Sequence, residues 1–233
     1  MKQTITFSKS LLYHRQNPLH FHFVVDSISG KTINELFKTW EIPDVNITCY
    51  EAENNMVKVQ WVPNTHYSGI YALLKLLFPE ILPKSLHKVI VLDTDLTFMS
   101  DVRELWVMFS NMTDDQMIGL VENESNWYLN RLSKRWPAIG RGFNTGVMLL
   151  DLKKMRDKVE KNELWQSAIT DNINSLKHTM LADQDVINAV FVREEFWQSL
   201  RDVLNVTRSN ERVVMLGDIN AWVGVQRVNG MSV

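Results

Sequence analysis

The chain has 233 residues, 45% of them hydrophobic and 22% charged, with a formal net charge of -2. That suits one sizeable α/β domain, or a domain plus a fragment, and excludes a disordered chain. No basic stripe or tail stands out, which argues against nucleic acid or an anionic membrane surface as the main partner. No run of about 18 apolar residues marks a transmembrane segment. The single cysteine, Cys49, allows no intrachain disulfide. Eight tryptophans are present, several in polar contexts. Such residues serve sugar binding in carbohydrate sites, although packing explains most tryptophans in a folded protein.

The start, MKQTITFSKSLLYHRQNP, lacks a long apolar core and a small-residue cleavage site, so it does not read as a signal peptide. HFHFVVDS, His20 to Ser27, reads as a short strand ending at Asp26. From Ser29 to Trp40, apolar Ile33, Leu36, Phe37 and Trp40 form a helical stripe. VNITCYEA, Val45 to Ala52, is a second strand. Ile70, Leu73, Leu74 and Leu77 predict one helix over Ser68 to Leu77. After the turn LPKSLHK, KVIVLD is the third strand. Ser100 is placed to cap a helix running to Phe109, with Val102, Leu105, Trp106 and Phe109 inward. MIGLVE and the glycine-interrupted GFNTGVMLLDL are further strands. Leu181 to Val192 is a helix opened by Asp183. Strands alternating with helices predict a doubly wound, mostly parallel sheet. Four glycosylation sequons occur, at Asn46, Asn111, Asn123 and Asn205.

The chemistry concentrates where VIVL runs into Asp93-Thr94-Asp95. A continuous apolar strand is a central one, covered on both faces. Ligands of open parallel sheets bind beyond the carboxyl ends of such strands. Residues i and i+2 of an extended segment point the same way, so Asp93 and Asp95 can converge on one hard cation. Mg²⁺ or Mn²⁺ takes oxygen ligands and bridges substrate phosphates. A sugar-nucleotide enzyme needs that arrangement, because the metal offsets charge developing on the leaving diphosphate. Asp-x-Asp also arises by chance, and this chain carries a second one, Asp183-Gln184-Asp185.

Other candidates have two readings each. The glycines around Asn144 mark a ligand approaching the backbone, with Asn144 bonding a sugar hydroxyl, or they mark a plain turn. Asp183 is a site residue or a helix cap. Lys75 reaches a phosphate or is one more solvated helix lysine.

Six stretches in order carry a resemblance: HRQNPLHFHFVVD, WVPNTHYSGIYALLKL, KVIVLDTDLTF, LVENESNWYLN, RWPAIGRGFNTGVMLLDL and LADQDVINAVF. Together, from about Tyr13 to about Val192, they resemble glycosyltransferase family 8. Within it they look like the xylosyltransferase domain of the LARGE-type xylosyl- and glucuronyltransferases. The resemblance implies a GT-A fold, a UDP-sugar donor (UDP-xylose), a Mn²⁺ cofactor and transfer with retention. It further implies a glycan or glycoprotein acceptor, as in the building of the xylose–glucuronate polymer on α-dystroglycan in the Golgi lumen. By position, Asp93 and Asp95 would be the metal ligands, with Thr94 between them in the donor site. Asn144 and Gly146 would line the donor sugar. Asp183 and Gln184 would flank the transferred sugar as catalytic residues, and Lys75 would contact the donor. Asn123 and Trp127 would border the acceptor.

The sequence also departs from the pattern. MKQTITFSKS does not resemble the family's opening strand, which holds uracil and ribose. The family's third metal ligand is a histidine in a His-Trp pair near the end of the domain. No such pair occurs here, and the last histidine is His178. The family's C-terminal lysine that meets the diphosphate has no counterpart either. A membrane anchor and a second catalytic domain are also missing from the sequence. From about Glu194 the chain instead resembles a retrotransposon endonuclease, with Gly217-Asp218-Ile219-Asn220 matching a strand-end motif. The expectation is a partial GT-A domain over 1–192, truncated at both ends, followed by an unrelated tail over 193–233 too short for nuclease activity. The alternative to an active transferase is a catalytically dead remnant or a binding module.

Overall fold

The computed structural model describes residues 2–114, 116–124, 141–162, 170, 179–191 and 213–214. The N-terminal residues form a helix, α1 (Lys2–His14), which buries Phe7 and Leu11 one turn apart. Strand β1 (Leu19–Val25) follows and pairs in parallel with β2 (Val45–Glu51), from Leu19 opposite Val45 to Val25 opposite Glu51. Between them runs α2 (Ser27–Trp40). Its cap is Asp26, whose carboxylate accepts from the amides of Ile28 and Ser29 at 3.0 and 2.9 Å. The helix ends at Glu41 in the left-handed region, φ 46°.

A short helix α3 (Glu53–Met56) precedes a broken helical segment. The single helix expected from Ser68 to Leu77 is instead α4 (Ile70–Leu73), a 3₁₀ turn (Leu74–Leu77) and α5 (Phe78–Ile81), with Pro79 in the first turn of α5. Gly69 stands before α4 at φ 61°, so the helix cannot begin at Ser68. Strand β3 (Lys88–Leu92) is followed by α6 (Arg103–Trp106) and a 3₁₀ turn (Val107–Asn111). Here the capping role expected of Ser100 belongs to Asp101, whose Oδ1 accepts from the Arg103 amide at 2.8 Å. The same carboxylate accepts from the Gln16 amide at 2.9 Å, tying α6 to the end of α1.

Strand β4 (Ile118–Glu122), strand β5 (Phe143–Asp151), helix α7 (Leu152–Asn162), helix α8 (Asp183–Phe191) and strand β6 (Val213–Val214) complete the described elements. The second sheet has the order β3-β5-β4-β6, with all three pairings antiparallel. The α/β reading holds and includes a parallel pair, β1–β2. The expectation of a mostly parallel sheet does not extend to the second sheet. Chain direction is not written into a buried apolar strand. Strands β4 and β5 are joined at one end of the sheet, by residues 123–142, rather than by a crossover back to the starting end.

Strand β3 explains why its sequence is apolar without a break. Val89 and Val91 enter one core with Leu73, Leu74, Phe78, Met148 and Val186. Ile90 and Leu92 enter the other with Phe7, Leu11, Phe21, Phe23 and Ile33. Alternate side chains face opposite layers, so both faces are covered. Each fully buried Phe or Leu contributes about 1.5–3 kcal/mol of transfer free energy. This strand is therefore held firmly, and its carboxyl end is a rigid platform.

Candidate active site

That platform carries Asp93. Its backbone amide donates to the Gly146 carbonyl at 2.8 Å, extending the β3–β5 pairing one residue past the strand. Gly146 lies tight against it: a Cβ there would stand 3.3 Å from Asp93 Oδ2 and 2.9 Å from Asn144 Oδ1. Asn144 Oδ1 accepts from the Gly146 amide at 2.7 Å. A side chain at 146 would thus have to displace the Asn144 side chain, and residues 143–146 open β5, with Gly142 just before the strand at φ 64°.

Lys75 sits in the 3₁₀ turn after α4 and is 9% exposed. Its ammonium lies 3.3 Å from Asp93 Oδ1 and 2.9 Å from Asp183 Oδ2, and it donates to the Thr145 carbonyl at 3.3 Å. A solvated helix lysine would do none of this. The side chain is a buried cation joining the ends of β3, β5 and α8.

The turn into α8 is equally specific. Ala182 is left-handed at φ 50°. Asp185 Oδ2 accepts from the amides of Met180 and Leu181, folding the turn over the helix start. Asp183, the first residue of α8, is 3% exposed and accepts from the Thr145 hydroxyl at 2.7 Å. Gln184 Oε1 accepts from the Thr145 amide at 3.3 Å. One turn on, the Asn188 side chain accepts from the Phe143 amide at 2.7 Å and donates to its carbonyl at 2.9 Å, docking α8 on β5 like a short strand partner. The second Asp-x-Asp therefore divides its work: Asp183 faces the cation, and Asp185 builds the turn.

Two carboxylates share one ammonium, and the electrostatics follow. Burial pushes the Asp183 carboxyl up to about 6, against the pull of Lys75 and Thr145, and the Asp93 charge adds to the rise. Burial alone would lower the Lys75 ammonium; the charges of Asp183 and Asp93 outweigh it and hold it above its ordinary value. The site thus has a fixed positive centre and one carboxylate whose charge is costly.

These groups lie on a cleft of about 520 Å³ that Lys75, Asp93, Thr94, Asp95, Asp183 and Gln184 all line. Asn144 and Gly146, expected to line the donor sugar, are not among the cleft's lining residues; Asn144 is exposed, beside Gly146 and Asp93. The Asp93 carboxylate is 43% exposed, and Asp95 is exposed. Among the described residues no group of three or more His, Cys, Asp or Glu gathers as a metal cage. The chain turns at Thr94 and Asp95 instead of running on extended, and Asp93 and Asp95 are hard oxygen donors lining an open cleft, where a divalent cation would keep waters and take remaining ligands from a phosphate. Asn123 does not line this cleft: it is 3% exposed, its backbone amide donates to the Gly142 carbonyl and its side-chain amide to the Arg141 carbonyl, holding the β4–β5 end together. Trp127, His178, Asp218 and Asn220 lie outside the described residues.

The sequence reading missed the cleft's other wall. Loop 63–69 is pinned to Thr179 through the Thr65 amide and the Asn64 side chain. It presents His66, Tyr67 and Ser68 to the cleft, with Tyr67 90% exposed and the Ser68 hydroxyl 2.6 Å from His66 Nδ1. Burial lowers His66 from its ordinary value. The stretch NTHYSG carried two signals, a cluster of turn residues around an aromatic and its place in WVPNTHYSGIYALLKL, one of the six family-like stretches.

Among curated proteins, the chain is 46% identical over 198 residues to xylosyl- and glucuronyltransferase LARGE1 of Homo sapiens. It is 48% identical over 192 residues to LARGE2 of Mus musculus. These alignments take in 84% and 81% of this chain but 26% and 28% of the relatives, so the chain spans about a quarter of their length. Among solved structures, the apo form of mouse xyloside xylosyltransferase 1 superposes with TM-score 0.65. That match is at 22% identity and covers 84% of this chain and 77% of that one. The bifunctional glycosyltransferase WbbM superposes at 0.55 over 82% of this chain and 35% of that one, at 14% identity. These likenesses establish the GT-A type of α/β fold. The model of glycosyl transferase family 8 matches residues 1–214, from α1 through the buried lysine site to β6, and the chain belongs to that family.

Proposed function

We propose that the cleft is the donor site of a glycosyltransferase that moves a sugar, xylose, from UDP to a glycan acceptor with retention. The observation that carries this is the Lys75 ammonium joining Asp93 and Asp183 on the cleft floor, in a chain of this family. The xylose assignment rests on the names of the LARGE relatives and of the xylosyltransferase with the same fold. The α-dystroglycan glycan and the Golgi lumen follow from the same family reading.

In this reading Asp93 and Asp95 would hold a divalent cation, Mn²⁺, which when bound would offset charge on the departing diphosphate. Lys75 keeps Asp93 aimed along the cleft and adds a second positive charge nearby. The bond from the sugar anomeric carbon to the diphosphate breaks, and one to an acceptor hydroxyl forms on the same face. The hydroxyl proton leaves with UDP. Positive charge on the anomeric carbon grows beside Asp183, whose carboxylate is held in place by Thr145 and Lys75 before the reaction begins. Gln184, fixed by the Thr145 amide, positions the sugar, and Asn144, beside Asp93, offers hydrogen bonds to its hydroxyls. Loop 63–69 closes the side and limits water.

The test is release of UDP from UDP-xylose with and without a glycan acceptor, for the parent chain and for Asp183→Asn. Losing one preorganised group of this kind costs about 10²–10³-fold in rate. Metal-dependent transfer that falls by that factor supports the reading. Full activity in Asp183→Asn removes that residue from the chemistry. No metal-dependent release from the parent chain leaves the binding-module reading in its place.

A further inference from the structure

The fold gives the sequons different surroundings. Asn123 is 3% exposed and its side-chain amide already donates to the Arg141 carbonyl at 3.1 Å. Asn46 is exposed too, but it lies inside β2, paired opposite His20, and the hydroxyl of its Thr48 is engaged 2.8 Å from His20 Nε2. Asn111 differs from both. It is exposed at the end of the 3₁₀ turn, where the chain leaves helical geometry for an extended Met112 at ψ 129°. Its Oδ1 meets only the Ser110 hydroxyl, at 3.5 Å, and among the described residues its Nδ2 donates to nothing. Thr113 is exposed, with its backbone held and, among the described residues, its hydroxyl unengaged. Its amide donates to Gln116 Oε1 at 2.8 Å, and its carbonyl accepts from Lys154 at 2.7 Å. The sequon is therefore a surface loop on a fixed base.

Its place relative to the cleft matters as much. The Asp151 amide donates to the Met117 carbonyl at 2.8 Å, and Ile118 stands opposite Leu150. The loop is thus at the Lys88–Asp151 end of the sheet, whereas Asp93 and Gly146 mark the other end. A bulky glycan there would extend away from the cleft and leave the donor site open.

We propose that Asn111 is an N-glycan acceptor and that Asn123, though it carries the same motif, is not glycosylated in the folded chain. This rests on the reading of the protein as one that acts in a secretory lumen. The bond formed joins Asn111 Nδ2 to the anomeric carbon of an oligosaccharide as its bond to a lipid diphosphate breaks. The amide proton is lost to base, and the co-reactant is the lipid-linked sugar of the host.

The test is translation of the full chain, fitted with a cleavable secretory leader, into microsomes, with mobility compared before and after peptide N-glycanase. The soluble, protease-resistant fraction is then mapped by mass spectrometry. The glycan is read at the sequon and not at the cleft, so the result does not depend on the donor-site reading. The expected result is loss of one glycan step in Asn111→Gln and in Thr113→Ala, retention of that step in Thr113→Ser, and no change in Asn123→Gln. An unchanged ladder in Asn111→Gln and Thr113→Ala would overturn the proposal. So would a glycan on Asn123 in the soluble fraction.

Discussion

Lys75 is the residue through which stability and chemistry meet. An ammonium removed from water is tolerated here because two carboxylates and a carbonyl surround it. Lys75→Met leaves Asp183 buried beside Asp93 with no cation, and should destabilise the fold by about 3–5 kcal/mol in urea unfolding. A loss below about 1 kcal/mol would mean the pair is not desolvated in solution. Asp183 gives a second, independent readout through pH. Its folded value of about 6 lies above its ordinary 3.8, so the folded chain holds that proton more tightly than the unfolded one. The corresponding stability is fully present below about pH 4 and is lost as pH rises through about 6. Unfolding free energy should fall across that window, and Asp183→Asn should flatten that part of the profile. In the proposed reaction Asp183 acts as the carboxylate, so the transfer rate should rise through the same window, opposite in sign to stability.

At the scale of elements, the site is made by three ends that meet: β3, β5 and the start of α8. Gly146→Ala would press a methyl against Asn144 Oδ1 and Asp93 Oδ2. It should weaken metal-dependent UDP binding while leaving the two cores intact, as isothermal titration alongside far-UV melting would tell. Asn188→Ala cuts the bonds that dock α8 on β5 and should cost about 1–3 kcal/mol. Much of this was legible in the sequence: β1, α2, β2, β3 and α8 follow directly from their apolar spacing. Helix α1 was not, because Thr4, Ile5 and Thr6 carry strand preference and only Phe7 and Leu11 supply a helical period. Helix α7 was hidden for another reason. Leu152 and Met155 are its buried anchors among many charges, and Arg156 fastens it by donating to the carbonyls of Pro79, Leu82 and Leu86. Such a side-chain-to-backbone tie leaves no periodic trace.

At the scale of the molecule, the strand-end acids announced the site, but its organisation did not come from local pattern. Lys75 and Asp183 are 108 positions apart, and nothing near either one points to the other. The antiparallel run of β5 beside β3 was equally invisible, since direction depends on where a connection returns. A boundary at 192 suggested itself because the later sequence changes character; β6, at Val213–Val214, is nonetheless paired to β4, and the family match runs to 214. The central claim is that the Lys75-joined acids form a metal-dependent UDP-sugar site. The most direct measurement is thermal unfolding of the full chain with UDP and Mn²⁺ together, with each alone, and in Asp93→Asn. A ligand at about 100 times its Kd adds about 2.7 kcal/mol to the native state. For a chain of this size that is a rise on the order of 5–10 °C. The account predicts a rise of that order only when UDP and Mn²⁺ are both present, and its disappearance in Asp93→Asn. An unchanged midpoint with both ligands, or an equal rise in Asp93→Asn, would contradict it.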